Sequence, residues 1–183
     1  RLDFSCALFE AQGNLIANAP HMPVHLGSMG ESIKAVIQKN AGQMRPGDTY
    51  VLNDPYNGGT HLPDITVVTP IFNQQQSDIL FFVASRGHHA DVGGLTPGSM
   101  PPDSKTVIEE GVLIDNFKLV ENGVMREAEL AALLASGPYP ARNINQNLAD
   151  LRAQIAANEK GAQELHRMVQ TFGLDVVHAY THH

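Results

Sequence analysis

The chain has 183 residues, of which 43% are hydrophobic and 17% charged, and its formal net charge is −7. This length and apolar content suffice for a packed core. The negative charge argues against nucleic-acid and anionic-membrane surfaces, because both bind clustered lysine and arginine. No apolar run approaches the roughly 20 residues that cross a bilayer. A single cysteine, Cys6, excludes an internal disulfide and favours a reducing, cytoplasmic setting.

Both ends of the sequence resemble the interior of a domain. It opens on "RLDFSCALFE", without methionine and already in a strand pattern, and closes on "DVVHAYTHH" within a helical pattern. We therefore expect residues 1–183 to be one portion of a larger domain, truncated at both ends.

The first predicted elements are a hairpin and a helix. Apolar runs at 2–9 and 14–18 flank "EAQGN", which is typical of a hairpin connection. Ser28 and Glu31 form an S-x-x-E capping box, and one apolar helix face follows it. "TYVLND" then predicts a short strand, and "PYNGGTHLP" a loop.

The second half begins with another predicted hairpin. The β-branched and aromatic runs at 65–72 and 79–84 flank "NQQQSD". The Gly/Pro-rich residues 87–104 predict a long loop, and loops of that length are usually functional or disordered. "TVIEEGVLI" predicts one or two strands, and 125–135 a helix.

The last predicted element is one long amphipathic helix at 143–171, ended by Gly173. We expect it to pack on its own protein; the alternative is a helix that docks onto a partner subunit. The predicted fold is α+β, a mostly antiparallel sheet with flanking helices and this long C-terminal helix.

Two stretches carry metal-ligand side chains. His61 and Asp64 precede the strand at 65–72, and His88 and His89 follow the strand at 79–84. If these strands pair as a hairpin, both stretches meet at one end of the sheet. Imidazole and carboxylate ligands suit zinc, manganese or iron. Adjacent side chains in extended backbone point to opposite faces, so only one of the two neighbouring histidines is expected to be a ligand.

Further polar residues could assist. We predict proton-transfer or orienting roles for His21, His25, the second histidine of the pair and Asp91, which could orient a ligating imidazole. Asp3 interrupts an apolar strand pattern and faces either solvent or the site. Cys6 has apolar neighbours, which favours a core residue over a nucleophile.

Several long motifs resemble the hydantoinase B/5-oxoprolinase family. They are "DFSCALFEAQGNLIANAPHMPVHLGSM", "LNDPYNGGTHLPDITVVTPIF", "SRGHHADVGGLTPGSMPPDS" and "ARNINQNLADLRAQIAANEKG", which together cover nearly the whole chain. The resemblance implies the N-terminal part of a family member. It also implies the metal ligands His61, Asp64, His88 and Asp3, and leaves His89 and Asp91 as catalytic candidates beside His21 and His25.

The resemblance implies a metal-dependent part of an ATP-dependent amidohydrolase that opens cyclic amides such as hydantoin, 5-oxoproline or a related lactam. ATP and magnesium would be bound by an A-type partner subunit or fused domain in an oligomeric assembly. The absence of a G-x-x-x-x-G-K-[ST] loop here is consistent with that division. The alternatives are a B-like subunit of an ATP-dependent ketone carboxylase and a non-catalytic structural subunit.

Overall fold

The structure, a computed structural model, describes residues 4–18, 26–98 and 102–181. Its strands are β1 (Phe4–Glu10), β2 (Leu15–Asn18), β3 (Thr49–Leu52), β4 (Asp64–Phe72), β5 (Ile79–His88), β6 (Phe117–Glu121) and β7 (Val124–Met125). Its helices are α1 (Leu26–Lys39), α2 (Val107–Glu110), α3 (Glu127–Leu134), α4 (Ile144–Phe172) and α5 (Leu174–Thr181). The strands form one sheet in the order β2-β1-β5-β4-β3-β6-β7, and every neighbouring pair is antiparallel. The predicted α+β class is confirmed.

Helices cover both faces of the central strands. Val68 and Phe82 pack with α1 on one face, whereas Phe81 and Val83 pack with the C-terminal half of α4 on the other. Because side chains alternate along a strand, a strand covered on both faces is apolar at almost every position. This explains why β4 reads "DITVVTPIF", with buried residues on both sides.

The predicted central hairpin is confirmed, and it is longer than its apolar run. β5 continues through Ser85, Arg86 and Gly87 to His88, which pairs with Asp64 at the start of β4. The polar residues extend the strand because their backbone groups pair with β4 on one side and β1 on the other, so the ladder does not depend on apolar side chains.

Two local predictions were wrong. "TVIEEGVLI" contains the short helix α2 and then an extended segment outside the sheet. That segment pairs with a side chain, since the Ile114 amide donates to Asn53 Oδ1 at 2.6 Å. The predicted capping box does not mark the start of α1. The helix already begins at Leu26, so Ser28 lies inside its first turn, where its hydroxyl accepts a hydrogen bond from Arg86.

The long helix is confirmed at Ile144–Phe172, and it packs on β4 and β5 of its own sheet. Its buried face contains amides that the apolar stripe did not predict. The Gln154 side-chain amide donates to the carbonyl oxygens of Ile65 and Ser85, at 3.0 and 3.2 Å. Asn158 donates in the same way to Val67 at 3.0 Å. These bonds fix the position of α4 along the hairpin.

None of the helices within the described ranges combines the length and apolar character needed to span a bilayer.

Candidate functional site

The loop before β4 is held close to the protein body. The Gly59 amide donates to the Asp54 carbonyl at 2.8 Å, and a Cβ on Gly59 would lie only 2.4 Å from the Asn53 carbonyl oxygen. Glycine is therefore required by this backbone approach. A turn follows, in which the Asp64 amide donates to the His61 carbonyl at 2.9 Å.

This turn and the hairpin bring three predicted ligands together, namely the Asp64 carboxylate and the imidazoles of His61 and His88. His88 Nδ1 lies 2.9 Å from Asp64 Oδ1, and His61 Nδ1 lies 3.4 Å from Asp64 Oδ2. The Asp64 side chain is only 9% exposed, whereas the imidazoles of His61 and His88 are 70% and 57% exposed. A buried carboxylate thus lies beneath two accessible imidazoles at the predicted end of the sheet.

The donor chemistry suits a divalent cation, but the arrangement is that of hydrogen bonds. Within 4–18, 26–98 and 102–181, no group of three or more histidine, cysteine or acidic side chains is arranged to hold a metal ion. Each imidazole is turned towards a different oxygen of Asp64. The fourth predicted ligand, Asp3, lies outside the described residues. The metal-ligand role of these four residues therefore stays a prediction.

His89 lies on the opposite face from His88, as alternation predicts. It is fully buried, with Nε2 2.9 Å from Gln154 Oε1 and Nδ1 3.2 Å from the Asn147 amide nitrogen. Burial lowers the pKa of His89, although the bond to Gln154 and the charge of Asp150 oppose that shift. The imidazole contacts α4 rather than Asp64, so a catalytic role for it would require another route to substrate.

Asp91 holds the loop that follows β5. Its carboxylate accepts hydrogen bonds from the amides of Gly93 and Gly98, at 2.8 and 2.9 Å, and from Arg142 Nη1 at 2.8 Å. Burial alone would raise the pKa of Asp91, but these donors together bring it below its usual value. These partners are amides of the same loop and Arg142 rather than an imidazole, so the predicted orienting role of Asp91 towards a ligating imidazole stays a prediction.

The remaining candidates are His21, His25 and Cys6. His21 and His25 lie outside the described residues. Cys6 is half-buried and lines an apolar cavity of about 280 Å³ between β1 and α4. Burial raises the pKa of the Cys6 thiol, which favours the unreactive protonated form.

Arg86 and Ser32 are polar residues beside the site that the sequence analysis missed. Arg86 is 2% exposed, and its Nε and Nη2 atoms donate to the hydroxyls of Thr66 and Ser32 at 2.7 and 2.8 Å. Burial lowers the pKa of Arg86, and the charge of Asp64 opposes this shift. The available signal was alternation, because a residue two positions before His88 must share its face of the sheet.

The chain is similar to several known proteins. A 5-oxoprolinase of Dictyostelium discoideum is 48% identical over 183 residues, 100% of this chain and 14% of the relative. The caprolactamase subunit beta of Pseudomonas jessenii is 32% identical over 177 residues, 97% of this chain and 29% of the relative. This chain thus spans less than a third of either relative.

Solved structures have the same fold. A chain in the crystal structure of the ATP-dependent caprolactamase from Pseudomonas jessenii superposes with a TM-score of 0.85 at 31% identity, covering 98% of this chain and 30% of that one. A nucleotide-free acetone carboxylase gives a TM-score of 0.85 at 22% identity, over 97% and 23% of the two chains, and shows the fold alone. The family model described as hydantoinase B/oxoprolinase matches residues 1–183. The chain belongs to the hydantoinase B/oxoprolinase family.

Proposed function

We propose that this chain carries part of the active site of an ATP-dependent amidohydrolase that opens cyclic amides. The supporting observation is the cluster of His61, Asp64 and His88, in which two exposed imidazoles approach one buried carboxylate. The names of the relatives, a 5-oxoprolinase and a caprolactamase subunit, support a lactam-type ring as the substrate class.

These three residues, with Asp3, are proposed to hold a divalent zinc, manganese or iron ion. Such an ion supplies Lewis-acid polarisation of a carbonyl oxygen and makes water more acidic. Asp64 would bind the ion through a carboxylate oxygen, and it lies beside the Nδ1 atoms of both imidazoles. Their exposed rings would bind the ion or move a proton at the edge that faces solvent. His21 and His25 are proposed to assist proton transfer.

Activation of the ring would come from elsewhere in the assembly. We propose that an A-type subunit or fused domain binds ATP with magnesium and phosphorylates the substrate. The designation "subunit beta" of the caprolactamase relative supports such a division. The likeness to acetone carboxylase concerns the fold, so it does not favour carboxylation as a separate function.

Elemental analysis tests the metal part of this proposal. The full-length protein is compared with a His61→Ala, His88→Ala double variant and with His166→Ala, a control beside the far end of β4. We expect the double variant to lose metal and ring-opening activity and the control to keep both. Equal metal content in all three proteins would refute the proposed site and would favour a structural subunit.

A further inference from the structure

Arg86 is a buried cation whose guanidinium donates to hydroxyl groups on two different elements. The acceptors are Thr66 on β4 and Ser28 and Ser32 on α1. Burying a charge is costly, and an apolar side chain would join a helix to a sheet at lower cost. A buried charge at this position therefore indicates a role that depends on directed hydrogen bonds.

The position of Arg86 places these bonds next to the candidate site. Arg86 pairs with Thr66 across the hairpin, and two residues further His88 pairs with Asp64. Residues two apart share a face of the sheet, so all four side chains lie on the face that α1 covers. Arg86 and Thr66 thus form the neighbouring cross-strand pair to His88 and Asp64 on the same face of the sheet.

Ser32 connects this cross-strand pair to the loop that carries His61. Its hydroxyl is hydrogen-bonded to the Gly58 carbonyl as well as to Arg86. Gly58 has a φ of +95°, and a Cβ there would lie 2.9 Å from the Ala35 Cβ and 3.1 Å from the Ser32 Cα. The loop therefore rests directly on α1, three residues before His61.

We propose that Arg86 and Ser32 are positioning residues that fix His61 beside Asp64. The hydrogen bonds of Arg86 join the first turns of α1 to the hairpin. The hydrogen bond between Ser32 and the Gly58 carbonyl then fixes the loop that carries His61 relative to α1. This inference rests on the proposed metal site, since the distance between His61 and Asp64 matters only if both act on one ligand.

Manganese binding to the full-length protein, followed by electron paramagnetic resonance of free Mn²⁺, measures this positioning without relying on activity. The test variants are Ser32→Ala and Arg86→Lys, because lysine cannot reproduce the fork of donors that arginine presents. The matched control is Ser85→Ala. Ser85 is a buried serine on the same strand as Arg86 but on the opposite face, and its hydroxyl donates to the Gln154 carbonyl at 3.3 Å. His61→Ala serves as the reference for loss of a ligand.

We expect Ser32→Ala and Arg86→Lys to weaken Mn²⁺ binding about 10-fold or more, as is typical when residues that orient metal ligands are lost. Ser85→Ala should lose a similar amount of stability and keep its affinity. If Arg86→Lys does not fold, Ser32→Ala alone decides. Equal affinities for Ser32→Ala and Ser85→Ala, with His61→Ala weakened, would overturn the positioning role only. An unchanged His61→Ala would overturn the proposed site and this inference together.

Discussion

His88 Nδ1 lies 2.9 Å from Asp64 Oδ1, and the two residues are direct partners across β4 and β5. The contact is therefore set by the register of the hairpin. Asp64 also approaches His61 on its other oxygen, which makes this carboxylate the common element of the candidate site.

Asp64→Asn tests the charge at that centre while keeping the size of the side chain. We expect Mn²⁺ affinity to fall at least about 10-fold, because a neutral amide is a far weaker ligand for a hard cation than a carboxylate. Isothermal titration calorimetry measures the affinity, and circular dichroism verifies the fold. Asp175→Asn, on the exposed surface of α5, is the control. Unchanged affinity in Asp64→Asn would exclude Asp64 as a ligand.

The lowered pKa of His89 predicts a pH-dependent stability. Below about pH 6.5, the usual pKa of histidine, the unfolded chain takes up a proton that the folded chain resists. The contribution of His89 to the free energy of unfolding should therefore be complete above that pH and be lost as the pH drops through the folded-state pKa. Urea denaturation from neutral to mildly acidic pH measures this slope. His89→Gln should flatten it, and identical slopes in the two proteins would contradict the prediction.

Gly59→Ala should strain the loop before β4. The new Cβ would lie 2.4 Å from the Asn53 carbonyl oxygen, and moving the backbone of Asn53 away would cost stability. We expect a loss of about 1–3 kcal/mol in the free energy of unfolding, typical of overpacking. Gly30→Ala is the control, since nothing lies within 4 Å of its Cβ, and a helical alanine should stabilise by about 0.5–1 kcal/mol. Thermal denaturation compares them, and similar changes would contradict the predicted clash.

Gln154→Leu should remove the amide that joins α4 to the hairpin. The His89 ring would then lose its 2.9 Å partner inside the protein, and an unsatisfied buried polar group costs about 1–3 kcal/mol. Gln163→Leu, on the exposed side of α4, should change stability little. Chemical denaturation of both variants decides, and equal stability would show that the buried amide contributes nothing.

Much of the site was predictable because it depends on local pattern. Runs of β-branched residues around a short polar turn predicted the hairpin, and strand alternation predicted that His88 and His89 point apart. The contacts of α4 were not predictable in this way. Gln154 and Asn158 bond to backbone carbonyls 89 and 91 residues away, at Ile65 and Val67. Such a partner leaves no mark on the sequence around the amide.

Arg86 was missed for a related reason, since its acceptors are hydroxyls on α1 and β4 rather than a carboxylate with a recognisable spacing. The segment "TVIEEGVLI" was read as strand from its apolar residues, but its backbone pairs with the side chain of Asn53. Tertiary hydrogen bonds overrode local propensity in both places.

The hairpin register also determines which changes in chain length the site can tolerate. Added residues in the turn at 73–78 leave Asp64 opposite His88, so this turn can vary in length without cost to the site. Removing one residue from β5 exchanges the two faces of the strand beyond that point, because side chains alternate with a period of two. His89 would then take the exposed position, and the adjacent histidines would trade surroundings. Insertions and deletions are therefore tolerated at one end of this hairpin and disruptive along its strands.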